Sequence, residues 1–140
     1  MNVTEIPFNH YIGIKESNEP KYLLMLEKSD DQLNHLGTMH ASAQFSLAEA
    51  TSGYFLLKAF GELATRVIPV VRKSELKFRK PAMGNIYSTA DFAGTTPDKV
   101  REELNNSGRA LVTVEAKIFD DQNQTLTATF EWFIQKIETN

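Results

Sequence analysis

Between Ala41 and Phe60 the chain carries only two charged residues, Glu49 and Lys58, in a stretch dominated by Ala, Leu and Phe. A run of this length and composition predicts a helix, and a helix apolar on most of its faces is normally buried. Gln44, Ser46, Thr51 and Ser52 interrupt it too often for a membrane span, which needs roughly 18 or more consecutive apolar residues. One buried helix in a small chain needs a second layer large enough to surround it. The rest of the sequence supplies that layer as strands.

Residues 11–17 and 21–28 read as two short strands, with Asn18-Glu19-Pro20 punctuating a hairpin. Residues 29–40 are polar and read as a loop. From 70 to 80 the chain alternates, with Leu76 and Phe78 on one face and Glu75, Lys77 and Arg79 on the other. Pro81-Ala82-Met83-Gly84 ends that strand, and residues 85–93 alternate again. Thr96-Pro97 opens a short helix that Asn106-Ser107-Gly108 closes. Val112, Val114, Ala116 and Ile118 share one face of the next strand, and residues 120–124 form a turn. Leu126, Ala128, Phe130, Trp132 and Ile134 share one face of the last strand. Short connections favour antiparallel pairing. The expected architecture is therefore α+β, an antiparallel sheet of about six strands whose apolar face is covered by the one long helix. No internal repeat or boundary is visible, so residues 1–140 read as a single domain.

Composition narrows the chemistry. The net charge is −3, which argues against a generic nucleic-acid binder. There is no cysteine, so disulfides, thiolate metal sites and thiol nucleophiles are excluded together. The opening MNVTEIPFNHY lacks the basic start and apolar core of a secretion signal, and a cytoplasmic location is expected. The triplets that begin at Asn2, Asn105 and Asn123 are then chance matches to a glycosylation pattern. No P-loop, GxGxxG, GxSxG or HExxH is present, and three scattered histidines support no metal site, so neither metal nor cofactor is expected.

Glu49 is the informative residue. It sits mid-helix, with Phe45, Gly53 and Leu56 on the same face. A carboxylate in such a surface is costly unless it is paired or used, and burial raises its pKa toward that of a base or nucleophile. The alternatives are a narrow solvent stripe or a structural pair with an arginine. The preceding loop, Asn34-His35-Leu36-Gly37-Thr38-Met39-His40, runs directly into the helix start at Ala41 and Ser42. Backbone N–H groups there are unpaired, and they can hold the oxygen of a polarised carbonyl. Asn34, His35 and His40 could orient or transfer protons, or could serve only turn geometry and packing. Arg72, Lys73, Lys77, Arg79 and Lys80 form a basic cluster in an acidic chain, suited to phosphate charges or to a solvated strand face.

The run Asn34-His-Leu-Gly-Thr-Met-His40, followed by Glu49, resembles the hotdog-fold acyl-CoA thioesterases of the phenylacetyl-CoA type. Those proteins carry Asn, then Leu-Gly-x-x-His-Gly-Gly, then an acid on the central helix. Phe78-Arg79-Lys80-Pro81-Ala82 resembles their aromatic-x-x-Pro-Ala strand end. The resemblance implies a sheet wrapped around a central helix, and hydrolysis of a coenzyme A or acyl-carrier-protein thioester. It implies Glu49 as base or nucleophile, Asn34 and His40 beside the thioester, and the Ala41 and Ser42 N–H groups as donors to its oxygen. It also implies that Arg72, Lys73, Lys77, Arg79 and Lys80 include residues that bind the nucleotide end of coenzyme A. A homodimer, or a tetramer built from dimers, follows from the same likeness.

The sequence departs from that pattern in three places. Ala41-Ser42 replaces Gly-Gly, the helper Ser or Thr on the following strand has no counterpart better than Val71 or Ser74, and the insertion from Thr96 to Gly108 is long. A hotdog dehydratase pairing His35 with Glu49, or a non-catalytic acyl-CoA-binding module, are the competing readings.

Overall fold

The structure is a computed structural model that describes residues 1–138. Helix α1 (Pro7–Ile12) is followed by short strands β1 (Lys15–Glu16) and β2 (Leu24–Leu26). Then come the long helix α2 (Ala41–Phe60), β3 (Val67–Phe78), β4 (Ile86–Phe92), α3 (Pro97–Ser107), β5 (Arg109–Phe119) and β6 (Gln124–Lys136). The six strands form one antiparallel sheet in the order β1-β2-β4-β5-β6-β3. The sheet curls around α2, as the lone apolar helix requires. This is the hotdog arrangement.

Alternation decides what lies inside. Val112, Val114, Ala116 and Ile118 of β5 and Leu126, Ala128, Phe130 and Ile134 of β6 are buried against α2, which contributes Leu47, Ala48 and Leu56. Truncating such a leucine to alanine typically costs about 2–5 kcal/mol. The polar residues that interrupt the helix tie it to the sheet. Thr51 Oγ1 donates to Ser88 Oγ at 2.6 Å, and Ser88 Oγ donates to the Leu24 carbonyl at 3.1 Å. Thr125 Oγ1 donates to Gln44 Oε1 at 2.8 Å. Thr51, Ser88, Gln44 and Thr125 thereby find partners and avoid the cost of burial alone.

The ends of α2 are both capped. His40 Nδ1 accepts from the Ser42 N–H at 2.9 Å, and Arg101 of α3 donates to the Ala59 carbonyl at 2.8 Å. Helix α3 fills the long insertion and buries Val100 and Leu104.

The expected strand at 11–17 is not there. Pro7, at the first position of α1, and Gly13, at φ +91°, make residues 7–12 one short helix, leaving only Lys15–Glu16 as strand. The run 21–28 pairs only over Leu24–Leu26. Between Val71 and Lys73 the pairing of β3 with β6 slips by one residue, and Arg72 is the extra residue of a bulge.

Candidate functional site

Glu49 opens onto a cavity of about 340 Å³. Its walls are Ala50, Gly53 and Leu57 of α2, Pro69, Val70 and Val71 of β3, Trp132 of β6, and Met1, Val3, Ile6 and Asn9 of the N-terminal segment. The lining is mostly apolar, with Glu49 as its single acid. Among the described residues its carboxylate has neither a hydrogen-bond nor an ion-pair partner, so the structural pair with an arginine is not made. Burial pushes its pKa above the usual carboxylate value. The result is a partly desolvated carboxylate beside an apolar volume, a setting that favours proton abstraction or nucleophilic attack.

Trp132 forms a fixed wall. Its Nε1–H donates to Ser52 Oγ at 3.1 Å, and Ser52 Oγ donates to the Glu49 carbonyl at 2.7 Å. A Cβ on Gly53 would lie 3.4 Å from the indole ring, so the glycine lets the helix approach the tryptophan closely.

The loop before α2 is built differently. Asn34 Oδ1 accepts from the N–H groups of Leu36 and Thr38, and its Nδ2 donates to Thr38 Oγ1 at 2.8 Å. Gly37, at φ +76°, completes the turn. The Asn34 amide is thus engaged within its own loop through its oxygen and one of its two N–H donors. The Ser42 N–H is engaged by His40, while the Ala41 N–H has no partner among the described residues. His35 lies in the same exposed loop.

Asn34, His40, Ala41 and Ser42 therefore meet at one end of α2, but Glu49 does not join them. Eight residues at about 1.5 Å each separate Ala41 from Glu49 by about 12 Å along the axis.

The basic cluster lies mainly on the other face of the sheet. Arg72 pairs with Glu131 at 3.3 Å and Lys73 with Glu75 at 3.6 Å, all exposed or half-buried. Lys77 is paired in register with Thr127, on the same outer face. Arg79 Nε donates to Thr127 Oγ1, and Lys80 Nζ donates to Asn123 Oδ1. Arg79 and Lys80 adjoin the 81–84 loop, where the Ala82 carbonyl accepts from the Met39 N–H at 3.0 Å beside the start of α2. Ser74 does not reach the cavity, whereas Val71 lines it.

Sequence reasoning missed the contribution of the first nine residues. Two signals were present: Asn2 three residues before Glu5, which is a helix-start pattern, and Pro7 at a position suited to the first turn of a helix. Asn2 Oδ1 does accept from the Thr4 N–H at 3.1 Å. Among the described residues no group of three or more His, Cys, Asp or Glu could hold a metal ion, and no helix is long and apolar enough to cross a membrane.

A sheet curled around one long helix is the hotdog fold, shared with solved structures described as thioesterases or probable thioesterases. Residues 13–134 match the family described as a domain of unknown function, DUF4442, and the chain belongs to that family. No curated protein matches the sequence. Among solved structures it is similar to a Pseudomonas aeruginosa protein of unknown function described as a probable thioesterase. That match has 28% identity and a TM-score of 0.80, covering 96% of this chain and 91% of the other. A mutant of a Staphylococcus aureus thioesterase matches at 14% identity and TM-score 0.70, covering 92% and 98%. A Bacillus halodurans protein solved with CoA matches at 18% identity and TM-score 0.63, covering 79% and 69%.

Proposed function

We propose that this protein hydrolyses acyl thioesters, with coenzyme A or an acyl carrier protein as the thiol carrier. The observation that carries the reading is the unpartnered, partly desolvated Glu49 carboxylate on an apolar cavity. The Pseudomonas aeruginosa relative, described as a probable thioesterase, and the Bacillus halodurans structure with CoA support it. Glu49 acts as a base on water, or adds to the thioester carbonyl to give an anhydride that water then cleaves. In either route the thiolate leaves, takes up a proton and departs as the free thiol.

The carbonyl oxygen needs a donor where negative charge develops, and the Ala41 N–H is the available one at the helix start. At about 12 Å from Glu49 it cannot serve the same carbonyl within one copy. The proposal therefore includes a second copy, docked along β3, that supplies its own helix start. Strand β3 is the sheet edge, is twelve residues long, and exposes Ile68, Val70, Val71 and Phe78. A long apolar edge of this kind is normally covered. In this reading Asn34 and His40 hold the loop that presents the Ala41 N–H. Of the basic residues, Arg79 and Lys80 lie nearest the helix start and are assigned to the nucleotide phosphates, with Arg72, Lys73 and Lys77 as outer contributors.

A non-catalytic acyl-CoA-binding module is the second reading. It is favoured by Ala41-Ser42 in place of a glycine pair, with one of the two N–H groups already bonded to His40. The test is a hydrolysis screen over straight-chain and aryl acyl-CoAs, with Glu49→Gln as the control. Turnover lost in the variant supports catalysis. Binding without turnover in the wild type supports the module.

A further inference from the structure

Four of the residues that line the Glu49 cavity come from the first nine of the chain, and this stretch is built as a wall. Val3 is buried at 4% exposure and Asn9 at 4%. Asn9 Nδ2 donates to the Val3 carbonyl at 3.0 Å, a buried bond that folds the segment back on itself. Asn2 caps the first turn, Pro7 starts α1, and Gly13 ends it in the left-handed conformation. Trp132, fixed by its bond to Ser52, lines the same cavity. The cavity holds about 340 Å³, at the low end of the roughly 300–1,000 Å³ of ligand pockets.

We infer that this cavity receives the acyl end of the thioester, and that Val3 and Ile6 of the N-terminal wall set the limit on its length, selecting medium-length apolar acyl groups. The inference rests on the thioesterase reading, with the thioester carbonyl near Glu49. The remaining lining offers the acyl group apolar contacts only, from Ala50, Leu57, Val71 and Trp132. A long chain must displace the wall, and the Asn9–Val3 bond opposes that displacement.

Trp132 is the only tryptophan in the chain, so its emission reports directly on the cavity. The experiment titrates the full-length protein with S-alkyl-CoA thioethers from butyl to hexadecyl, which cannot be hydrolysed. Affinity should rise about fourfold per methylene, the value of a buried CH₂, then stop rising at a medium chain. Ile6→Phe should move that break to a shorter chain and weaken the longest ligands about tenfold or more, leaving butyl within twofold. Ile6 is 36% exposed, so the larger ring is tolerated there even if Val3→Phe fails to fold. Ile6→Ala should move the break to longer chains.

An emission change independent of chain length, or a break that neither Ile6 variant moves, overturns the inference. So does failure of every thioether to bind. Hydrolysis is measured separately. If acyl-CoAs are not cleaved but the break is present and moves with Ile6, the cavity assignment stands and the catalytic reading falls.

Discussion

The chain holds two carboxylates away from bulk water in opposite ways. Asp120, at the β5–β6 turn, is 7% exposed and fully satisfied. Its Oδ1 accepts from the Gln122 and Asn123 N–H groups at 2.9 and 2.7 Å, and its Oδ2 from the Met83 N–H at 3.2 Å. Desolvation pushes its pKa up, but these donors outweigh it and hold the group below the usual value. Glu49 has no donor and is held above the usual value by burial. A carboxylate used to build a fold is surrounded by N–H groups. One left without them costs stability, and the cost has a reason only if the group does something else. The two sites can therefore be told apart by what their removal damages.

The largest effect is expected at Glu49. Glu49→Gln keeps the size and removes the base, so kcat on the best acyl-CoA should fall at least 100-fold, about 2.7 kcal/mol in barrier height. The thermal midpoint should hold or rise. A kcat within threefold of wild type would end the assignment.

Asp120→Ala should show the reverse. It strips partners from three backbone N–H groups, and charge-assisted bonds contribute about 1.5–3 kcal/mol each before compensation by water. A net loss of about 2–3 kcal/mol by urea unfolding is expected, with kcat of the folded fraction unchanged. A stable Asp120→Ala protein with impaired turnover would erase the distinction between the two carboxylates.

His40 belongs on the structural side of that line. Removing a helix N-cap typically costs about 0.5–2 kcal/mol. His40→Ala should lie near the lower end, since its cap is one exposed bond. It also frees the Ser42 N–H, so turnover should change by less than tenfold. A loss comparable to that of Glu49→Gln would mean that His40 touches the thioester.

How much of this was legible in the sequence follows from the same physics. The central helix and β5 and β6 could be read directly, because burial imposes a pattern on every residue of a long element. Glu49 stood out for the same reason, as a lone charge among apolar neighbours. Over residues 11–14 the alternation of Tyr11-Ile12-Gly13-Ile14 imitates a strand, whereas Pro7 and Gly13 set a helix over Pro7–Ile12. Trp132 shares the apolar face of the last strand with Phe130 and Ile134, but nothing in its strand pattern tells a wall of packed atoms from a wall of a cavity. That difference is set by what packs on the ring from elsewhere in the chain, such as Gly53, 79 residues away in sequence, where a Cβ would lie 3.4 Å from the indole. The basic run from Arg72 to Lys80 looked like one cluster because sequence shows spacing, whereas the bulge at Arg72 and the pairing with β6 turn most of it away from the cavity.

The smallest effect is also the one that tests the contrast most directly, through the dependence of stability on pH. Asp120 has a folded pKa below its unfolded value. Its contribution is present above the unfolded pKa and is lost as pH falls through the folded one. Glu49 has a folded pKa above its unfolded value. The fold prefers its neutral form, so stability is lost as pH rises from the unfolded pKa through the folded one. Urea unfolding from pH 4 to 7 should therefore show the difference between Glu49→Gln and wild type growing with pH in favour of the variant. The difference should be small, because part of Glu49 remains in contact with water. Asp120→Asn should show its deficit against wild type shrinking at the acid end of the same range. Parallel curves for wild type and Glu49→Gln would mean that the carboxylate is no more desolvated folded than unfolded, and the physical basis for setting it apart from Asp120 would be gone.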